Sequence, residues 1–204
     1  MKKHKYELTN ETITIDNGKT LYRIRALIDI EEFGVKIGDL GGYIEKEENL
    51  SHHGDAWVFG GARVYDNARV YDNAWVYGDA EIYGDAEVSG NVWVYGNARI
   101  YGNACVYGDA KVSGYARIYG NAEICGDAEI NKKVHVLTIG PIGSRNDTVT
   151  FFRTKENIIK VTCGRLYGTI DELISKVDLD HGNNKNGHVY RIAAESARAQ
   201  IELD

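Results

Sequence analysis

The stretch Gly143-Ser144-Arg145-Asn146-Asp147-Thr148 gathers a flexible backbone, a guanidinium and several hydrogen-bonding side chains, and Arg153 follows soon after. Residues of these types can cradle a phosphate or another small anion, through bared amides and charge-assisted arginine donors. The same composition also describes an ordinary polar loop with an Arg–Asp pair. Cys163 and His181 raise a second chemistry: a thiol nucleophile with an imidazole base, oriented by Asp147 or Asn183. Against it stands the commoner reading, a buried structural cysteine and a loop histidine. His52, His53 and His135 could also act as bases, although each reads equally as a surface histidine. Recurring Asp and Asn residues could suggest calcium, but turn chemistry accounts for them and no metal is expected.

Composition narrows these choices. At 204 residues the chain can bury a substantial core. A net charge of −6 supplies no basic field for nucleic acid, and the run Lys2, Lys3, His4 and Lys5 reads as solvated terminal charge. No apolar run reaches the length of about 18 residues needed to span a membrane. The first residues lack the apolar stretch of a signal peptide. Three cysteines do not make a disulfide framework, which points to a reducing cytoplasm. With a single proline, the turns fall to Gly, Asn and Asp.

The element that must position everything else is a repeat. From Val58 to Val136 every sixth residue is Val or Ile, fourteen in all. The residue two before is Ala in twelve units and Val in two, at Val92 and Val134. A unit such as Ala98-Arg99-Ile100-Tyr101-Gly102-Asn103 points Ala and Ile to one side of a short strand and Arg and Tyr to the other. The Gly-Asn or Gly-Asp pair then turns the chain. No unit reverses polarity, so the strands coil in one direction, as in a parallel β-helix.

These units resemble the left-handed β-helix of hexapeptide-repeat proteins, in which three hexapeptides make one triangular coil. The resemblance implies left-handedness and between four and five coils. Each buried aliphatic contributes roughly 1.5–3 kcal/mol, so such a prism needs no metal or disulfide to hold it.

An 18-residue coil sorts the outward residues onto three faces. Face one carries Trp57 with Phe59, Trp75 with Tyr77 and Trp93 with Tyr95, then Lys111 with Ser113 and Glu129 with Asn131. Six aromatics on successive coils form a patch of the size that marks an interface, expected to dock another subunit or the C-terminal domain. A platform for sugar rings or bases is the alternative. Face two carries Arg63, Glu81, Arg99, Arg117 and His135 beside Tyr65, Tyr83, Tyr101 and Tyr119, which reads as a charge ladder and a stabilising tyrosine stack. Face three carries Arg69, Glu87, Cys105 and Glu123 beside Tyr71, Ser89, Tyr107 and Cys125.

The ends read differently. Residues 1–50 form an N-terminal β cap, with Asp16-Asn17-Gly18 turning between Thr12–Ile15 and Leu21–Ile28. The β-helix occupies 51–137, and 138–204 form a small α+β domain. In that domain Val149–Phe152 and Ile158–Thr162 are expected strands, and Thr169-Ile170-Asp171-Glu172 is a capping box for a helix ending near Val177. Asn183 to Gly187 is an expected polar loop, and a last helix has Val189, Ile192, Ala193, Ala197 and Ile201 on one face.

The stretch Gly38-Asp39-Leu40-Gly41-Gly42, the repeat, Gly140 to Thr148, Cys163-Gly164 and Gly168-Thr169 together are similar to bacterial and phage or prophage proteins that carry an acyltransferase label. The resemblance implies an acyltransferase that uses coenzyme A or an acyl carrier. Enzymes of that type use a histidine near a loop interrupting the coil; this array has no interruption and no histidine between His53 and His135. The same gap leaves no histidine cluster for a γ-type carbonic anhydrase, and Trp, Tyr and Arg occupy positions where ice binding needs threonine ladders. The expected function is therefore a phage-type scaffold or binding protein, a trimer or dimer, whose tail binds a small anion or a protein partner. It would need no cofactor.

Overall fold

The computed structural model describes residues 4–203, so Lys2 and Lys3 lie outside the described residues. From Trp57 a two-residue strand recurs every six residues. Face one is built from β4 (Trp57–Val58), β7 (Trp75–Val76), β10 (Trp93–Val94), β13 (Lys111–Val112) and β16 (Glu129–Ile130). Face two contains β5 (Arg63–Val64), β8 (Glu81–Ile82), β11 (Arg99–Ile100) and β14 (Arg117–Ile118). Face three contains β6 (Arg69–Val70), β9 (Glu87–Val88), β12 (Cys105–Val106) and β15 (Glu123–Ile124). Every pairing along these faces is parallel and joins residues 18 apart, such as Arg99 with Arg117. The protein is a three-sided parallel β-solenoid of about five turns.

The alternation that defines the repeat explains its packing. Ala56, Val58, Ala62, Val64 and their successors to Ile130 are almost completely shielded from solvent. The corners need a left-handed residue. At Gly102 φ is +75°, and an added Cβ would lie 2.9 Å from the Gly120 nitrogen one coil along. Asp66 and Asp72 replace glycine at two corners, with φ of 60° and 58°. Their carboxylates accept from the amides of Gly84 at 3.1 Å and Gly90 at 3.2 Å, which offsets the strain.

The solenoid begins earlier than residue 51. β1 (Tyr6–Thr14) and β2 (Thr20–Ala26) form an antiparallel hairpin that pairs with β3 (Leu40–Ile44). β3 then pairs in parallel with β5, and Leu50 bridges Val70. Ile44 faces Val64 and Leu50 faces Val70, so this first coil is two residues longer than the rest. Gly41 and Gly42 are required where β3 crosses it: a Cβ there would lie 2.6 Å from the Val58 carbonyl and 2.7 Å from that of Ala62. Lys5 corrects the reading of a solvated basic run. It is fully buried, its Nζ donating to the carbonyls of Ala56 at 2.7 Å and Gly54 at 3.2 Å, and burial lowers its pKa to about 8. It closes the end of the prism by satisfying carbonyls that have no further coil to pair with.

At the other end the period runs one unit too far. Lys133–His135 form a 3-10 turn, and Val136 opens β17 (Val136–Ile142) of a separate sheet, so the fourteenth unit leaves the solenoid. The sheet continues through β18 (Asp147–Arg153), β19 (Ile159–Cys163) and β20 (Leu166–Thr169), all antiparallel. Helices α1 (Ile170–His181) and α2 (Lys185–Gln200) pack on it through Leu173, Val177, Tyr190, Ala193 and Ala197. The Thr169–Glu172 capping box forms, but α1 runs on to His181 rather than stopping near Val177. Asn184 caps α2, so Lys185 to Gly187 are helical, and Ile192 faces solvent while Tyr190 takes the buried position. β18 splits its side chains: Phe152 joins the prism core and Phe151 the core beneath the helices. The sheet docks on the last coil through Thr150 Oγ1, which accepts from Glu123 N at 3.1 Å, and Thr162 Oγ1, which donates to Glu123 O at 2.7 Å.

Candidate functional site

The fold separates the residues expected to hold an anion. Ile142 pairs with Asp147, which makes Gly143 to Asn146 the turn of the β17–β18 hairpin. Asn146 takes φ of 53° and its amide donates to Gly143 O at 3.5 Å. Ser144, Arg145 and Asn146 are exposed at the tip. Arg153 stands at the opposite end of β18, roughly 20 Å away at the rise of an extended strand. It is buried, with Nε donating to Asn157 Oδ1 at 3.0 Å. Arg145 and Arg153 therefore do not share a site, because an uninterrupted strand holds them apart.

Cys163 sits on β19 close to Asp147, Arg145 and Tyr190, and Tyr190 is the hydroxyl hydrogen-bonded to its thiol. His181 lies flat on the Tyr190 ring, with centroids 5.7 Å apart. Burial pushes the Cys163 thiol up and the Tyr190 hydroxyl to about 12. A nucleophilic cysteine needs the opposite shift. Asn183 is exposed on the turn after α1. His135 is fully buried, in contrast to its expected place on the surface of face two, because the chain has already left the solenoid there.

His52 stacks on Tyr6 with centroids 4.3 Å apart, and its Nδ1 accepts the Lys5 amide at 3.2 Å. His53 is exposed beside it. His4, Glu47 and His52 bring possible ligand atoms within 4.8 Å of one another. The accepting Nδ1 fixes the proton on Nε2 in the neutral ring, which removes the lone pair that would face Glu47, so this trio is poorly suited to a metal.

On face one the cover comes from the chain's own N-terminus. Trp57 is fully buried with Tyr6 edge-on at 6.3 Å, and Phe33 stacks on Trp75 at 4.4 Å. The segment before β3 thus occupies the half of the patch formed by Trp57, Phe59 and Trp75, a role expected for a second subunit or the C-terminal domain. Tyr77, Trp93 and Tyr95 remain half-exposed, with Lys111 Nζ 5.8 Å from the Trp93 ring.

Face two is closed. Tyr65, Tyr83, Tyr101 and Tyr119 stack with centroids 5.0, 4.9 and 5.5 Å apart. Glu81 is held between Arg63 at 3.1 Å and Arg99 at 3.0 Å.

Face three is open. Its ladder runs Tyr71, Ser89, Tyr107, with Ser89 where a ring would continue the stack. A groove of about 560 Å³ results, lined by Tyr71, Glu87, Ser89, Cys105, Tyr107 and Glu123 among others. Glu87 Oε1 accepts from Arg69 at 3.4 Å and Glu87 Oε2 from the Tyr71 hydroxyl at 3.2 Å. Glu123 Oε1 accepts a 2.5 Å bond from the Tyr107 hydroxyl, and Glu123 forms no ion pair among the described residues. Burial and then the flanking Glu87 and Glu123 carboxylates raise the Cys105 thiol. The groove is acidic, aromatic-walled and chemically quiet. Sequence reasoning assembled this face and passed over it; the signal was Ser89 between Tyr71 and Tyr107, in a column that ends at Cys125.

Comparison with known families gives one finding. Residues 62–78 and 98–114, each close to one coil, match the YdcK Beta solenoid repeat. No curated protein matches the chain. Glu87 and Ser89 fall in the coil between the two matching stretches.

Proposed function

We propose that the protein is a non-catalytic binding scaffold: a stiff solenoid closed at both ends by its own chain, which self-associates through the half-exposed part of face one. The observation that carries this reading is the uninterrupted solenoid. Its coils keep one register from β4 to β16, with no inserted loop and no histidine on them, and burial pushes the Cys105 and Cys125 thiols up. An acyltransferase using coenzyme A needs a base beside the acyl group; His135 is buried in the turn beyond the last coil, and His52 and His53 sit in the first coil at the capped end, where the Nδ1 of His52 already accepts the Lys5 amide. Three free cysteines suit a reducing cytoplasm. No helix among the described residues is long and apolar enough to cross a membrane.

Tyr77, Trp93 and Tyr95 form the contact, and closed symmetry makes it a dimer or trimer. Trp93→Glu leaves the Phe33–Trp75 stack in place and places a charge at the centre of the patch. Light scattering on the wild type should give a dimer or trimer mass, and the variant should fall to the 22.7 kDa monomer. A monomeric wild type, or a variant of unchanged mass, overturns the association.

A further inference from the structure

We propose that the face-three groove is a binding site for a short alkyl α,ω-diamine, lying along the solenoid axis between Glu87 and Glu123. The proposal deepens the reading of the chain as a binding protein and does not depend on its oligomeric state.

Strand register sets the spacing of the two glutamate backbones. Glu87 and Glu123 pair with Cys105 from either side, so their backbones are two strand spacings apart, roughly 9.6 Å. Glu87, Cys105 and Glu123 do not bring their ligand atoms within 4.8 Å of one another, so they are not gathered for one metal ion. A four- or five-carbon chain, by contrast, can bring one ammonium to each carboxylate at about 2.8 Å. The carboxylates keep capacity for this. Each can accept about four hydrogen bonds, whereas Glu87 accepts from Arg69 and Tyr71, and Glu123 from Tyr107.

The walls suit the same ligand. The place left by the missing ring at Ser89 lies between Tyr71 and Tyr107. Tyrosine rings attract ammonium groups through their negative faces, and their carbon edges with the Cys105 thiol line a strip for the methylene chain. Anionic ligands are repelled by the Glu pair. The face-two equivalent cannot take an amine, because Tyr83 fills the space and both sides of Glu81 are already held by arginines.

Isothermal titration at low salt with 1,4-diaminobutane and 1,5-diaminopentane tests the site, with 1-aminobutane as the single-charge control. Wild type should bind at least one diamine, with the monoamine weaker by tenfold or more. Glu123→Gln should weaken the diamine at least tenfold. Ser89→Tyr, which restores the ladder, should abolish binding while the melting temperature holds or rises. Should Ser89→Tyr fail to fold, the double change Glu87→Gln with Glu123→Gln carries the test at unaltered groove shape. No diamine heat in wild type, equal affinity for mono- and diamine, or full binding by a folded Ser89→Tyr or the double variant overturns the proposal. The light-scattering mass is read separately, so loss of one idea leaves the other standing.

Discussion

Faces two and three of the solenoid share one register, one kind of core and one corner chemistry, yet at the middle coils face three has a groove beside Glu87 where Tyr83 fills the equivalent place on face two. On face two the tyrosines at 65, 83, 101 and 119 stack without a gap, and the charges between them neutralise one another. On face three Ser89 interrupts the stack, and Glu123 lacks an ion-pair partner among the described residues. A repeat protein's fold is set by what points inward, and its surface chemistry by single departures in what points outward. The regular face is a wall, and the irregular one is where something can bind.

If the inward residues are indifferent to this distinction, equal truncations beneath the two faces should cost the same. Ile100 on face two and Ile124 on face three are both fully buried. Changing either to Ala should cost about 2–5 kcal/mol, since each leaves a cavity among close-packed aliphatics. Urea midpoints at unchanged m-value would measure it. A gap larger than about 1 kcal/mol between the two would show that the faces differ in their cores as well.

The outward columns make a smaller prediction. Tyr83→Ser copies the face-three vacancy onto face two and removes stacks at 5.0 and 4.9 Å. At about 0.5–1.5 kcal/mol per aromatic pair, the loss should be about 1–3 kcal/mol, read from the same midpoints. The variant should still bind no diamine in calorimetry, because Arg63 and Arg99 remain on Glu81. Diamine binding there would mean that an open slot alone suffices and that the carboxylate spacing is irrelevant.

The solenoid was legible because a strict six-residue period admits one architecture, and assigning Tyr and Arg columns to faces needed only division by 18. What failed were contacts the period does not encode. Phe33 comes to Trp75 from outside the repeat, Lys5 folds back to plug the first coil, and Val134 and Val136 keep the spacing after the chain has turned away. Arg145 and Arg153 look adjacent in sequence, but an extended strand between them turns eight residues into a long separation. Conversely Tyr71, Ser89 and Glu123 lie far apart in sequence and line one groove because coils stack.

The smallest effect concerns the acids themselves. Glu81 has a side chain 17% exposed and is gripped from both coils by arginine, whereas that of Glu87 is 39% exposed and meets a single arginine at 3.4 Å. Half-shielded pairs arranged as a network retain some Coulomb energy, while an exposed pair is largely screened. Glu81→Gln should therefore lower stability by up to about 1 kcal/mol, and Glu87→Gln by less than about 0.5 kcal/mol. Added salt should remove what remains of the second difference and shrink the first only in part. Equal costs would imply that Glu87 is as firmly committed to the fold as Glu81. A carboxylate so committed has little left to offer an ammonium ion, so the groove on face three would then be shape without a function.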